Sequence, residues 1–274
     1  MHPNLDPEFA TELLRPASQS DDKYSRGTVG FVTGSEKYPG AALLGIEAAF
    51  EVGIGMVSYL GPKSVSDLVL SNRPEVVLGI QKANALVLGS GISESGDEAQ
   101  NENLSLSVGL DLPLVIDAGA ISILDLESIN SPAIITPHAG EAERLFAQLG
   151  HSRKRIDIEA NPAGSAWELA NLTGKLVLLK GSLSVLALKG EEPIESGPGS
   201  PHLATAGTGD VLAGMIGALA AKYVAATGNI TNLILRDIAL VASQLHSEAA
   251  ELAAAKGEFG ASKIAGAISE AINS

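Results

Sequence analysis

Thr28-Val-Gly-Phe-Val-Thr-Gly34 decides the fold, because a tight turn and an apolar helix pattern follow it at once. A short apolar run stopped by glycine reads as a buried strand. The turn, Gly34-Ser-Glu-Lys-Tyr-Pro-Gly40-Ala41-Ala42, is crowded with small residues, and residues 41–52 carry helical apolar spacing. Gly55-Met-Val-Ser-Tyr-Leu60 then returns to strand, as do Ala85-Leu-Val-Leu-Gly89, Leu114-Val-Ile-Asp117, Ala133-Ile-Ile-Thr136 and Leu176-Val-Leu-Leu-Lys180. Helical stretches are expected between them at about 99–110, 139–149 and 162–172. This strand–turn–helix alternation predicts a doubly wound, mainly parallel sheet with helices on both faces, a three-layer α/β fold. Ligands of such sheets bind beyond the carboxyl ends of the strands, and each strand here ends there in Gly, Asp, Thr or Lys.

After Lys180 the pattern changes. Ser184-Val-Leu-Ala-Leu-Lys-Gly190 and Pro193-Ile-Glu-Ser196 read as antiparallel strands joined through Gly190-Glu-Glu-Pro193. A glycine loop and three helices, at about 210–225, 231–255 and 260–272, complete the chain. Residues 23–274 are expected to form one domain. Residues 1–22 are read as a polar extension, either partly mobile or docked as a short helix through Phe9, Leu13 and Leu14.

Composition narrows the class. The 274 residues are 45% hydrophobic and only 4% aromatic, so the core is built from Ala, Leu, Ile and Val. A net charge of −14 with no basic run argues against nucleic-acid and anionic-membrane partners. No cysteine is present, which excludes disulfides and thiolate chemistry and points to a reducing compartment, the cytoplasm. No signal sequence is read at the N-terminus, and no apolar run approaches the ~20 residues of a membrane span.

Four segments carry chemistry. In Ala204-Thr-Ala-Gly-Thr-Gly-Asp210-Val-Leu-Ala-Gly214, two glycines let backbone amides approach an oxyanion, and a helix start adds its positive dipole end. A carboxylate repels phosphate, so Asp210 is either a base for an attacking hydroxyl or the N-cap of an ordinary glycine loop. Thr136-Pro-His-Ala-Gly-Glu141 places His138 and Glu141 three residues apart across another helix start. Glu141 can support the helix dipole or hold Mg²⁺ through water near transferring phosphates, and His138 can bind substrate, act as acid or base, or pack. Lys180-Gly181-Ser182-Leu183-Ser184 is either a nucleotide-gripping turn or a polar hairpin with a solvated lysine. Gly89-Ser-Gly91 is a strand-end turn, and Asp117 reads as a cap or a supporting carboxylate.

Read in order, these segments resemble the ADP/ATP-dependent NAD(P)H-hydrate dehydratases of the ribokinase-like superfamily, from about Lys23 to the last helix. The resemblance implies a nucleotide-dependent dehydration of damaged NADH or NADPH hydrate. Asp210 would take the hydrate's hydroxyl proton, and Ala41, Gly91 and His138 would line the substrate site. Lys180 to Ser184 and Gly207, Thr208 and Gly209 would hold ADP or ATP, with Mg²⁺ near Glu141. It also implies a homo-oligomer, a tetramer being one option, working beside a separate epimerase. Four positions depart from the family's pattern. Ala139 and Ser90 stand where prolines are usual, Ser93 where a glycine is, and Ser184 keeps a hydroxyl where threonine is common. Two other readings share these residues. One is a kinase for a vitamin-precursor alcohol, which would release a stable phosphoester, and the other is a non-catalytic nucleotide sensor.

Overall fold

The computed structural model describes residues 5–80, 82–94 and 98–274. Its strands are β1 (Thr28–Val32), β2 (Met56–Tyr59), β3 (Val77–Leu78), β4 (Ala85–Leu88), β5 (Leu114–Ile116), β6 (Ala133–Ile135), β7 (Leu176–Leu179), β8 (Ser184–Ala187) and β9 (Ile194–Ser196). They form one sheet in the order β3-β2-β1-β4-β5-β6-β7-β8-β9. Pairing is parallel as far as β7, and β8 and β9 are added antiparallel, as the turn chemistry predicts. The strand order reverses between β1 and β4, which creates a crevice at their carboxyl ends where α/β sheets bind ligands.

The helices are α1 (Pro7–Leu13), α2 (Gly40–Glu51), α3 (Lys63–Asn72), α4 (Glu98–Val108), α5 (Gly119–Ile123), α6 (Ala139–Gln148), α7 (Arg155–Ala160), α8 (Pro162–Thr173), α9 (Thr208–Thr227), α10 (Asn232–Ala255), α11 (Ala261–Gly266) and α12 (Ile268–Asn273). Strand side chains alternate between two cores, because successive residues point to opposite faces. Val29, Phe31, Val87 and Leu178 join the core beneath α2, α9 and α10. Val32, Leu86, Leu88 and Val177 join the one beneath α4, α6 and α8. The three-layer α/β expectation is therefore met.

Glycine sets how deeply α9 sits. A Cβ on Gly214 would lie 2.3 Å from the Gly45 carbonyl oxygen of α2, and one on Gly217 would lie 2.2 Å from Val87 Cγ2. Backbone can thus approach backbone, which fixes the start of α9 over the crevice. By length and composition α9 is apolar enough to cross a membrane, contrary to the expectation that no such run exists. Its glycines and alanines instead bury residues 211–221 against α2 and the sheet.

Some expectations change. The final helix is two, α11 and α12, separated at Ala267. The short elements α5, α7 and β3 and the helix α3 were not read from sequence. Helix α1 docks through Ala10 and Leu13, with Phe9 against Tyr223 of α9 at 6.0 Å between ring centroids. Residues 1–4 of the N-terminal extension lie outside the described residues.

Candidate active site

Asp117, Thr136 and Lys180 end adjacent strands β5, β6 and β7, so the parallel register carries them to one place. Lys180 Nζ donates to Asp117 Oδ1 at 2.7 Å, and Thr136 Oγ1 donates to the same oxygen at 2.7 Å. Ser90 Oγ, from the turn after β4, donates to Asp117 Oδ2 at 2.8 Å. Burial alone would raise Asp117's pKa, but Lys180 and the three hydrogen bonds outweigh it and hold the carboxyl below its usual range. Burial likewise opposes the Lys180 charge, and Asp117, Glu141 and Asp210 overcome it, raising the ammonium's pKa. A solvated lysine in a polar hairpin is thereby excluded, since only 19% of the Lys180 side chain is exposed.

The ammonium reaches the glycine loop. A Cβ on Gly209 would lie 3.2 Å from Lys180 Nζ, so glycine here leaves space beside the cation. Gly207, at φ +93°, caps α9, and a Cβ there would strike Leu44 Cδ1 at 2.5 Å and approach Ala261 Cβ to 3.0 Å. Thr208 Oγ1 donates to the carbonyls of Leu203 and Thr205, at 2.9 and 3.0 Å, and pins the loop. The first amides of α9 have no partner within the helix, and Lys180 adds positive charge beside them.

Asp210 is not the N-cap of an ordinary glycine loop. It is the third residue of α9, and no side chain caps this helix. Its pKa is pushed up to about 7, first by burial and then by the nearby charges of Asp117 and Glu141, with Lys180 acting in the opposite direction. A carboxylate that titrates near neutrality beside an anion cradle suits a general base.

His138 caps α6. Its Nδ1 accepts from the Gly140 and Glu141 amides, at 3.0 and 3.3 Å, while Glu141 Oε2 accepts from the His138 amide at 2.9 Å. This reciprocal box was not foreseen, although the spacing of three that makes it was. With Nδ1 an acceptor, neutral His138 carries its proton on Nε2, and 55% of the side chain is exposed. Sequence reading gave the residues; the tautomer comes from the backbone around them. A parallel bridge between His138 and Lys180, with the Lys180 amide donating to the Pro137 carbonyl at 2.8 Å, joins this motif to the lysine turn.

Ala41 and Gly91 meet across the switch point. A Cβ on Gly91, at φ +71°, would lie 2.5 Å from Ala41 Cβ, and Ser35 Oγ donates to the Gly91 carbonyl at 2.7 Å. The Gly34 amide donates to the Ser90 carbonyl at 2.7 Å, tying together the loops after β1 and β4. An open cleft of about 660 Å³, lined by Tyr38, Ile92, Glu94, Gly119 and Glu141 among others, runs along these loops. Gly181 and Ser182 are exposed at the far end of the lysine turn, Leu183 and Ser184 partly covered, with Ser184 Oγ 3.4 Å from the Gly181 carbonyl. Sequence reading missed one pair. His202 and Phe259, both exposed, lie 5.9 Å apart between ring centroids. They flank the glycine loop, since Leu203 accepts from Thr208 and Ala261 approaches Gly207.

The chain is similar to proteins of one family. The family model described as NAD(P)H-hydrate dehydratase matches residues 29–273. A bifunctional NAD(P)H-hydrate repair enzyme of Mycobacterium tuberculosis is 39% identical over 213 residues, which are 74% of this chain and 42% of the relative. The chain thus spans less than half the length of such bifunctional relatives. An ADP-dependent (S)-NAD(P)H-hydrate dehydratase of Neisseria meningitidis is 29% identical, covering 94% of this chain and 88% of the relative. The crystal structure of an ADP/ATP-dependent NAD(P)H-hydrate dehydratase from Bacillus subtilis, co-crystallised with ATP and Mg²⁺, superposes with a TM-score of 0.82 over 99% of both chains. At 24% identity, that likeness shows the shared ribokinase-like fold.

Proposed function

The chain belongs to the NAD(P)H-hydrate dehydratase family, and from that premise we propose that it restores NADH or NADPH from the hydrate at the expense of an adenine nucleotide. The observation that carries the reading is Asp210, a carboxyl with its pKa near 7 at the mouth of an anion cradle backed by a buried lysine.

The hydrate's ring hydroxyl lies against Asp210, which takes its proton as the oxygen attacks the terminal phosphorus of ADP. The P–O bond to AMP breaks, and the amides of Gly207, Thr208 and Gly209 with Lys180 hold the charge that develops. The C–O bond then breaks with inorganic phosphate as leaving group, a ring proton departs, and the double bond returns. Ala41 and Gly91 leave room for the nicotinamide ring, and His138 Nε2–H donates to its carboxamide. Lys180, Gly181, Ser182, Leu183 and Ser184 line the nucleotide's path, and the His202–Phe259 pair offers its base an aromatic surface.

Mg²⁺ fits the donors present if phosphate oxygens and water complete its shell. Among the described residues no group of three metal-ligating side chains is found, and Mg²⁺ is usually held by one or two carboxylates plus phosphates. Glu141 would hold it through water, and the ion would neutralise charge on the phosphates. By the same reading the chain works in the cytoplasm as a homo-oligomer, on the epimer that an epimerase activity supplies.

ADP is proposed as donor, since the Neisseria relative is named for it. Incubation with NADH hydrate and either ADP or ATP, followed by NADH absorbance, tests this. Recovery should require a nucleotide and be faster with ADP. Bound nucleotide without recovery would favour the vitamin-alcohol kinase or the sensor.

A further inference from the structure

A second cationic pocket lies at the other end of α9, beside the start of β1. It encloses about 260 Å³ between α1 and the carboxyl end of α9 and is lined by Phe9, Leu13, Arg15, Arg26, Lys222 and Tyr223, with Glu12, Ser25, Ala226 and Thr227 at its rim. At 1.5 Å per residue, Lys222 is roughly 18 Å along α9 from Asp210, so this is not part of the crevice already described.

Its charges are unbalanced. Arg15 is neutralised by Asp21 through bonds of 2.8 and 2.9 Å, and Asp21 also accepts from the Ser18 amide. Arg26 and Lys222 have no carboxylate partner among the described residues. Each donates to one backbone carbonyl at the end of α2, Arg26 to Gly53 and Lys222 to Val52. Those bonds suit a helix C-terminus but leave most N–H donors of both groups unused. Glu12, the remaining carboxylate at the rim, is exposed and 3.6 Å from Arg15. Burial first, then the neighbouring charges of Arg26 and Arg15, depresses the Lys222 pKa to about 8. In a chain of net charge −14, two neighbouring cations with no carboxylate bonded to either suit an anionic ligand, since the one carboxylate whose charge acts on Lys222, Asp21, is already engaged by Arg15. The other wall is apolar: the tilted Phe9–Tyr223 pair, Leu13 and Ala226.

We propose that this pocket binds a small aromatic anion, a single ring bearing phosphate or carboxylate, with the anion between Arg26 and Lys222 and the ring against Phe9 and Tyr223. The volume admits one ring and one anionic group rather than a nucleotide.

Calorimetric titration with benzyl phosphate, benzyl alcohol and inorganic phosphate, in the presence of saturating ADP, tests it. Benzyl phosphate should bind saturably at one site, with benzyl alcohol and phosphate each at least tenfold weaker. Lys222→Met should weaken binding tenfold or more. Ala226→Phe fills the rim from an exposed position and should abolish binding while leaving the melting temperature unchanged. Absence of saturable benzyl phosphate binding would overturn the proposal. So would binding that Ala226→Phe leaves intact.

Discussion

Lys180 Nζ sits 2.7 Å from Asp117 Oδ1 and beside the space left by Gly209, so one buried ion pair holds a cation against the glycine loop that opens α9. The strands that supply the two residues are separated by β6, whose Thr136 donates to the same carboxylate oxygen. Removing either charge alone leaves the other buried and uncompensated, typically a loss of about 3–5 kcal/mol. Lys180→Met and Asp117→Asn should therefore each lower stability in chemical denaturation. The double variant should recover much of that loss yet remain inactive, because the cation is gone. Full additivity of the two single losses would contradict the pairing.

Asp210 should trade stability for activity. Its folded pKa, about 7, lies above the ordinary carboxyl value of 3.8, so between these values the folded state binds more protons than the unfolded state. The contribution to stability is complete below about pH 4, declines as pH rises towards 7 and is lost above it. Asp210→Asn should consequently raise the melting temperature at pH 8 but not at pH 4. Turnover should rise with pH through about 7 as the base form accumulates, and the variant should lose at least 100-fold in kcat. A melting curve for the variant that matches the parent at every pH would count against the raised pKa.

Ser90 stands where the family pattern has proline, and its hydroxyl is one of Asp117's partners. Ser90→Ala should lower stability by about 1–2 kcal/mol, the usual loss when a buried charged group is deprived of one hydrogen bond. Ser90→Pro removes the same hydroxyl but keeps the carbonyl that binds the Gly34 amide, so it should retain more stability than Ser90→Ala by restricting the unfolded chain. Denaturant midpoints of the two variants decide the order.

Gly91 is a tight point of the proposed substrate wall. Alanine there would need φ +71° and would place its Cβ 2.5 Å from Ala41. Gly91→Ala should reduce kcat/KM for the hydrate more than tenfold while nucleotide affinity, measured separately, changes little. Equal losses in both would mean that the loop supports the whole crevice.

Much of this was legible because the fold is built from local signals. Six of the seven parallel strands, and the end of the sheet they point to, follow from apolar runs stopped by polar residues. The missing strand, β3, has only Val77 and Leu78, both exposed, and so carries no burial pattern. Pairings over long separations were not legible. Asp117 and Lys180 are 63 residues apart, and only the parallel register brings them together. The break between α11 and α12 is a matter of packing around Ala267 and leaves no proline in the sequence. Lys222 looks like an ordinary surface lysine until the end of α2 and Arg26 are placed next to it.

In the proposed reaction, phosphate transferred to the hydrate is expelled rather than retained. The direct measurement is the ratio of inorganic phosphate released to NADH recovered, with NADH hydrate and ADP as substrates. One phosphate is expected for each NADH, and neither product with Asp210→Asn. Consumption of ADP with a stable phosphorylated product and no NADH would contradict it and assign the same residues to a kinase.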